Sequence, residues 1–176
     1  MFDNFLRCFG ENSITKVIDG DPYEMFIKMY EGKQFGNGLF NVFYKTDIEK
    51  WTAIVGDAYP EVGNVIKTFG YDWLGRIFAI DETNVNRILM FEIGTKQILE
   101  ISCPFLEFLN KEIPLHHEAC FATSFYSKWL RKKKIPVVYG RCIGYKIPLF
   151  LGGKDHIRNM EDSDMEVYWH ILSQIK

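Results

Sequence analysis

The residue types that bind zinc gather at one point of the chain, where His116, His117 and Cys120 lie close together. If this segment is helical, His116 and Cys120 share one face, because side chains four positions apart lie one above the other. A structural zinc site needs four ligands, normally in two tight pairs. No second pair has matching spacing, since His156 and Cys142 each stand alone. We therefore predict no metal site, and we expect both histidines to be surface residues at a helix start.

Cysteine chemistry is a second possibility, because a thiolate beside a histidine is a common nucleophile. The chain has four cysteines, which are far apart and form no Cys-x-x-Cys motif: Cys8, Cys103, Cys120 and Cys142. Cys103 precedes a proline at a predicted helix start, where helix amides could lower the pKa of its thiol. No cysteine lies in the strand-to-helix turn of a known nucleophile motif. We predict reduced, buried thiols that act as small apolar groups, and neither a catalytic residue nor a cofactor.

Two segments have the composition of phosphate contacts. Gly152-Gly153-Lys154-Asp155 resembles the end of a phosphate-binding loop, but its first glycine would be Pro148 and no Ser or Thr follows the lysine. We expect the glycines to form a backbone turn instead. The basic run 131–134 closes a predicted helix, where the helix dipole favours cations. With 21 basic and 23 acidic residues, the chain also lacks the basic excess of a nucleic-acid-binding protein.

An acidic group near the C-terminus has more functional potential. Asp155, Glu161 and Asp162 are not explained by helix capping, and we expect them in or beside an exposed loop with Arg158 as their only strongly basic neighbour. Such a surface could meet the basic DNA-binding cleft of a partner protein and gain association rate and specificity from complementary charge. An ordinary solubilising surface is the alternative. These three residues are the predicted partner-binding site.

Length and composition describe a globular chain. Its 176 residues suit one domain or two small halves, and 47% apolar with 16% aromatic residues is ample material for a core. The first residues lack the pattern of a secretory signal, and no apolar run approaches the roughly 18 residues of a transmembrane helix. We therefore expect a cytoplasmic protein without membrane contact.

The N-terminal half, residues 1–103, is predicted to carry an antiparallel sheet. Three β-type runs, Arg76 to Ile80, Ile88 to Ile93 and Gln97 to Ile101, are joined by segments too short for parallel crossovers, so they form a meander. Capping boxes predict helices from Asp21-Pro22 to Gly32 and from Thr46 to Val55. A strand is expected from Leu39 to Tyr44, whereas Tyr59 to Thr68 has no clear periodicity.

The C-terminal half, residues 104–176, is predicted to be mainly helical. One helix follows Pro104, a long one runs from His116 to Lys132, and a last one begins at Ser163, where Ser163-x-x-Glu166 is a capping box. The last helix should bury a stripe of Met165, Tyr168, Trp169, Leu172 and Ile175. The predicted fold is α+β, a central antiparallel meander with helices packed on it, and we expect both halves to pack as one compact unit.

Four segments of the C-terminal half follow one another in a specific order and spacing: the helix 121–130, Tyr139-Gly-Arg-Cys142-Ile-Gly144, Pro148-Leu-Phe-Leu-Gly152-Gly and the Ser163 helix. This pattern resembles the immunity proteins that protect type VI secretion bacteria against their own DNase toxins. One departure is Arg141, where family members often have an acidic residue. The N-terminal half resembles more loosely the GAD-like domain that precedes it in such proteins, through Gly38-Leu-Phe, Thr46 to Trp51 and Phe69 to Phe78.

The resemblance implies a cytosolic protein that binds a cognate toxin and silences it without catalysis of its own. Related SUKH-type immunity proteins are also α+β scaffolds, and they serve toxins of several kinds. We therefore expect a binding module for a secreted nuclease effector. The alternative is a non-catalytic regulatory or scaffold domain of the same fold that binds an unrelated cellular protein.

Overall fold

The computed structural model describes residues 1–12, 20–63 and 65–175, and it confirms the predicted α+β class. The helices are α1 (Asp3–Cys8), α2 (Pro22–Tyr30), α3 (Lys45–Ala58), α4 (Phe105–Glu107), α5 (Ile113–Leu115), α6 (His117–Phe121), α7 (Thr123–Lys133) and α8 (Met165–Gln174), with a π-helical turn at Phe108–Glu112 between α4 and α5. The strands are β1 (Gln34–Phe35), β2 (Phe40–Val42), β3 (Ile66–Asp72), β4 (Ile77–Asp81), β5 (Asn84–Glu92), β6 (Gln97–Ile101), β7 (Arg141–Tyr145) and β8 (Met160–Asp164).

A six-stranded antiparallel sheet forms the centre, and its strands lie side by side in chain order from β1 to β6. The predicted meander is therefore confirmed in β4, β5 and β6, with Phe78 opposite Met90 and Met90 opposite Leu99. The sequence did not predict β3, which lies in the middle of the sheet. Six of its seven residues are buried, so the strand lacks the polar alternation that marks a half-exposed strand.

Two predicted helix starts have different outcomes. Helix α2 begins as predicted, because the Asp21 carboxylate accepts a hydrogen bond from the Glu24 amide at 2.9 Å. The prediction that Thr46 caps α3 is wrong, because α3 already begins at Lys45. The first backbone amide of α3, that of Lys45, has no acceptor within the helix. It donates instead to the carboxylate of Glu31, which follows α2, at 3.0 Å.

The single helix predicted from His116 to Lys132 is divided at Ala122, which adopts a left-handed conformation with φ 48° and ψ 48°. The Glu118 carboxylate accepts the Ser124 amide at 2.8 Å and so caps the second piece, α7. The Trp73 indole donates a hydrogen bond to the Phe121 carbonyl at 2.7 Å. A local cap and a tertiary hydrogen bond thus replace the bonds that a continuous helix would make across the break.

The C-terminal part contains a β-hairpin that the sequence did not predict. Strand β7 pairs with β8, and Cys142 lies opposite Ser163. Ser163 therefore belongs to a strand, and the prediction that it caps the last helix is wrong. Asp164 is the cap instead, with its carboxylate accepting the Val167 amide at 3.0 Å. The predicted stripe is confirmed, since Met165, Tyr168, Trp169 and Leu172 are buried and Ile175 is half-buried.

Buried aromatic side chains join the two parts of the chain. Trp73, on the connection between β3 and β4, donates to the Phe121 carbonyl, and its ring lies 4.9 Å from that of Tyr126. Trp169 of α8 donates to the Gly75 carbonyl at 2.8 Å. The buried apolar residues of both parts form one hydrophobic cluster. No helix in the described part of the chain is long and apolar enough to cross a membrane.

Candidate functional site

The β7–β8 hairpin positions most of the acidic residues that the sequence singled out. Strand β7 is tied to the central sheet on one side, where the Ile143 amide donates to the Trp73 carbonyl at 2.7 Å. Strand β8 therefore lies on the outer side, and it pairs with no further strand among the described residues. Buried Met160 and Met165 hold its two ends in place. The hairpin thus presents an outer strand that carries carboxylates.

Two glycines, Gly144 on β7 and Gly153 in the loop between the strands, permit close contacts within this hairpin. A Cβ on Gly144 would lie 2.5 Å from the Tyr168 ring, so the glycine lets α8 pack on β7. A Cβ on Gly153 would lie 1.9 Å from the Ile147 carbonyl oxygen, within the loop that joins the strands. Asn159 closes the same loop by donating to the Ile147 and Lys154 carbonyls at 2.8 and 3.0 Å. The glycine at position 153 thus lies in a compact backbone turn, as predicted.

The three predicted partner-binding residues are all exposed, but they differ in how they are held. Asp155, on the loop, accepts a hydrogen bond from the Tyr145 hydroxyl at 2.9 Å. Asp162, on β8, accepts one from Arg141 Nε at 2.8 Å. Glu161 makes no side-chain hydrogen bond or ion pair with any residue in the described ranges. Glu161 is therefore the carboxylate that is most available to a partner.

Two expectations about these residues are wrong. Glu161 and Asp162 lie in β8, not in or beside a loop, so their side chains project to opposite faces of the hairpin. Arg158 is also not their only basic neighbour, because strand pairing brings Arg141 across to Asp162. The structure thus places Glu161 and Asp162 on the outer strand and Asp155 on the loop that joins the strands, and it does not align the side chains of Glu161 and Asp162 on a single face.

A groove between α3 and α8 adjoins the hairpin, and the sequence did not predict it. Its lining includes Ile54 and Asp57 from α3 and Asp164, Glu166 and Val167 from the end of β8 and from α8. An ion pair of 2.8 Å between Lys50 and Glu166 connects the two helices. The available signal in the sequence was Val167, an apolar residue outside the buried stripe of α8.

The candidate zinc residues do not assemble into a site. Among the described residues, no group of three or more His, Cys, Asp or Glu side chains could hold a metal ion. His116 is exposed and lies 3.7 Å from Glu112, which agrees with its prediction as a surface residue. His117 is half-buried instead of fully exposed, and its ring packs against Phe9 and Phe121.

The half-buried position of His117 has a consequence for stability. Burial lowers the pKa of His117 below its ordinary value of 6.5, against the opposing charge of Glu118. In the folded chain its Nε2 has no hydrogen-bond partner within the described ranges. Below pH 6.5 the unfolded state therefore binds the proton more readily, so stability falls as the pH decreases.

We expect the free energy of unfolding to decrease between pH 7 and pH 5.5, and we expect His117→Leu to reduce that decrease. Urea unfolding of the wild-type chain and of His117→Leu at each pH measures the free energy of unfolding. The matched control is His116→Gln, which changes an exposed imidazole and should keep the wild-type pH dependence. An unchanged slope in the His117 variant would contradict the assignment.

All four cysteines are free, and three of them are buried. Burial raises the pKa of Cys8, Cys103 and Cys120 to about 11. The helix amides therefore do not activate Cys103. These thiols remain protonated at neutral pH, and a protonated thiol is a poor nucleophile.

Comparison with known proteins connects the hairpin region to a family. A search of curated proteins gave no match. The crystal structure of Atu4351 from Agrobacterium tumefaciens has the same fold, with a TM-score of 0.63 and 17% sequence identity over 100% of this chain and 90% of that one. Residues 104–176, which include the hairpin and α8, match the family model described as "T6SS immunity protein Tdi1, C-terminal". The C-terminal part of the chain is therefore similar to type VI secretion immunity proteins.

Proposed function

We propose that this chain is an immunity protein that binds a cognate toxin in the cytosol and neutralises it. The observation that carries the proposal is the match of residues 104–176 to the type VI secretion immunity family. The toxin is proposed to be a secreted nuclease effector, and residues 1–103 to be a GAD-like half of a protein distantly related to SUKH-type immunity proteins. The protein acts by occupying a surface of the toxin and has no catalytic activity of its own.

The proposed contact surface is the outer edge of the hairpin, with Asp155, Glu161 and Asp162. A nuclease binds the phosphate backbone through lysine and arginine side chains, so its substrate cleft is basic. Carboxylates on an outer strand complement such a cleft, and charge complementarity accelerates association and excludes wrong partners. Glu161 is the strongest candidate because no described residue neutralises its charge.

Co-expression with the product of the neighbouring gene tests the function directly. We expect that product to be toxic alone, and we expect this chain to restore growth and to co-purify with it. Absence of toxicity together with absence of a complex would contradict the immunity proposal. The scaffold alternative would then be the better account of the chain.

Charge reversal at Glu161 tests the contact surface. We expect Glu161→Arg to weaken toxin binding by roughly tenfold or more, mainly through slower association, because an attractive charge becomes repulsive. Surface plasmon resonance at low and high salt measures the loss and its salt dependence. Glu82→Arg is the matched control, since Glu82 is an exposed glutamate on the β4–β5 turn. Equal binding by both variants would exclude this edge as the contact.

A further inference from the structure

We infer that the groove between α3 and α8 receives a basic, amphipathic helical segment of the toxin. The inference rests on the proposed function and extends it by naming a second contact and the chemistry of its occupant. The groove has a volume of about 430 Å³, which falls within the usual size of ligand-binding clefts.

Helix α8 exposes two apolar side chains at and beside the groove. Val167 is 54% exposed and Ile171 is 55% exposed. They lie four positions apart on α8, so they stand on one face of the helix. Val167 lines the groove together with His170, and Ile171 lies beside it. Ile54 of α3 is half-buried at the base of the groove. An exposed apolar stripe beside a concave surface is a typical anchor site for a partner side chain.

Carboxylates surround this apolar stripe. Asp57 of α3 and Asp164 and Glu166 at the start of α8 line the groove. Glu166 is paired with Lys50, and Asp164 caps α8. Asp57 makes no hydrogen bond or ion pair with any described residue. The groove therefore carries a net negative charge and offers one unpaired carboxylate to a cation.

The apolar stripe and the carboxylates together indicate what kind of segment the groove binds. An apolar stripe between two helices accepts the apolar face of a third helix, which can lie along the groove. The surrounding carboxylates require that this helix carry lysine or arginine at its edges, because an uncharged or acidic helix would leave them unpaired or repelled. The groove is also continuous with the hairpin edge, since Asp164 ends β8 and begins α8. One basic partner can therefore engage both surfaces.

The test compares groove variants with matched controls, using the purified product of the neighbouring gene as the probe. We expect Val167→Arg to weaken binding by roughly tenfold or more, because it removes an apolar anchor and adds repulsion to a basic helix. Asp57→Arg should also weaken binding. Val85→Arg and Glu82→Arg are the controls, since Val85 is 78% exposed at the start of β5, Glu82 lies on the adjoining β4–β5 turn, and neither residue lines the groove. Thermal unfolding verifies that each variant is folded.

A photo-crosslinking residue at position 167 identifies the occupant. The expected product joins this chain to a toxin peptide that carries several lysine or arginine residues at helical spacing. Capture of an acidic peptide would overturn the inference. Wild-type affinity in both groove variants would also overturn it, and loss of affinity in Glu161→Arg alone would then leave the proposed function intact. If the wild-type chain does not bind the probe at all, the groove and the proposed function both fail.

Discussion

Replacing Trp73 by alanine should lower the free energy of unfolding by roughly 3–5 kcal/mol, the usual cost of removing a buried tryptophan. The side chain is fully buried, and its indole donates to the Phe121 carbonyl at 2.7 Å. Its ring also packs 5.6 Å from Phe125 and 4.9 Å from Tyr126. The substitution therefore leaves a cavity and an unsatisfied carbonyl at the same point, and both effects destabilise the fold.

Thermal and urea unfolding measure this loss. At this chain length, 1 kcal/mol corresponds to about 2–4 °C in Tm, so a decrease on the order of 10 °C is expected. Trp73→Phe keeps most of the ring and removes the donor, and it should cost roughly 1–2 kcal/mol. This milder variant keeps the prediction testable if the alanine variant does not fold. Val85→Ala, at an exposed position, should change stability by about 0.5 kcal/mol or less.

The Trp73 variants also test whether the two parts of the chain unfold together. We propose that residues 1–103 and 104–176 unfold as one unit, because Trp73 belongs to the first part and its hydrogen-bond acceptor to the second. The Trp73 variants should then show coincident transitions by circular dichroism and by intrinsic fluorescence. Two separate transitions, with only one shifted, would indicate two independent domains.

The sequence predicted the elements whose signals are local. The capping box at Asp21, the short connections of β4, β5 and β6, and the apolar stripe of α8 each depend on neighbouring residues alone. Elements fixed by distant contacts were missed or misplaced. The break at Ala122 depends on an indole from residue 73, and the start of α3 depends on Glu31.

The same distinction applies to the candidate site. The exposure of Asp155, Glu161 and Asp162 followed from their polarity and from the lack of any local structural role. Their relative orientation did not, because the pairing of β7 with β8 determines which face each side chain occupies. The partner of Asp162 comes from across that pairing, and the α3–α8 groove joins segments that are distant in sequence. Tertiary packing determines such arrangements, so the local sequence pattern does not predict them.

The second large effect is expected at a buried ion pair beneath the hairpin. Arg76 Nε donates to the Asp72 carboxylate at 2.7 Å, and a second guanidinium nitrogen donates to the Cys120 carbonyl at 2.9 Å. The same carboxylate accepts the Leu74 and Arg76 amides at 3.0 Å. Burial raises the pKa of Asp72, and Arg76 and the two amides oppose that rise. The pair thus connects the β3–β4 turn to the helical part of the chain.

Removing one partner should be far more costly than removing both. Arg76→Leu leaves a buried carboxylate without its cation, and we expect a loss of roughly 3–5 kcal/mol at pH 8. The double variant Asp72→Asn with Arg76→Leu buries no charge, and it should be more stable than Arg76→Leu alone. Urea unfolding of the wild-type chain, both single variants and the double variant gives the coupling energy. Additive losses would show that the two charges act independently.

The pH dependence of Arg76→Leu provides a separate check. Without the guanidinium, the pKa of Asp72 rises further above its unfolded value, so the folded state holds a proton that the unfolded state releases. That contribution to stability is present at low pH and is lost as the pH increases through the raised pKa. The deficit of Arg76→Leu relative to the wild-type chain should therefore be smaller at pH 5 than at pH 8, while the double variant shows no such difference. A deficit independent of pH would mean that the loss comes from the Cys120 contact and packing, and not from an uncompensated carboxylate.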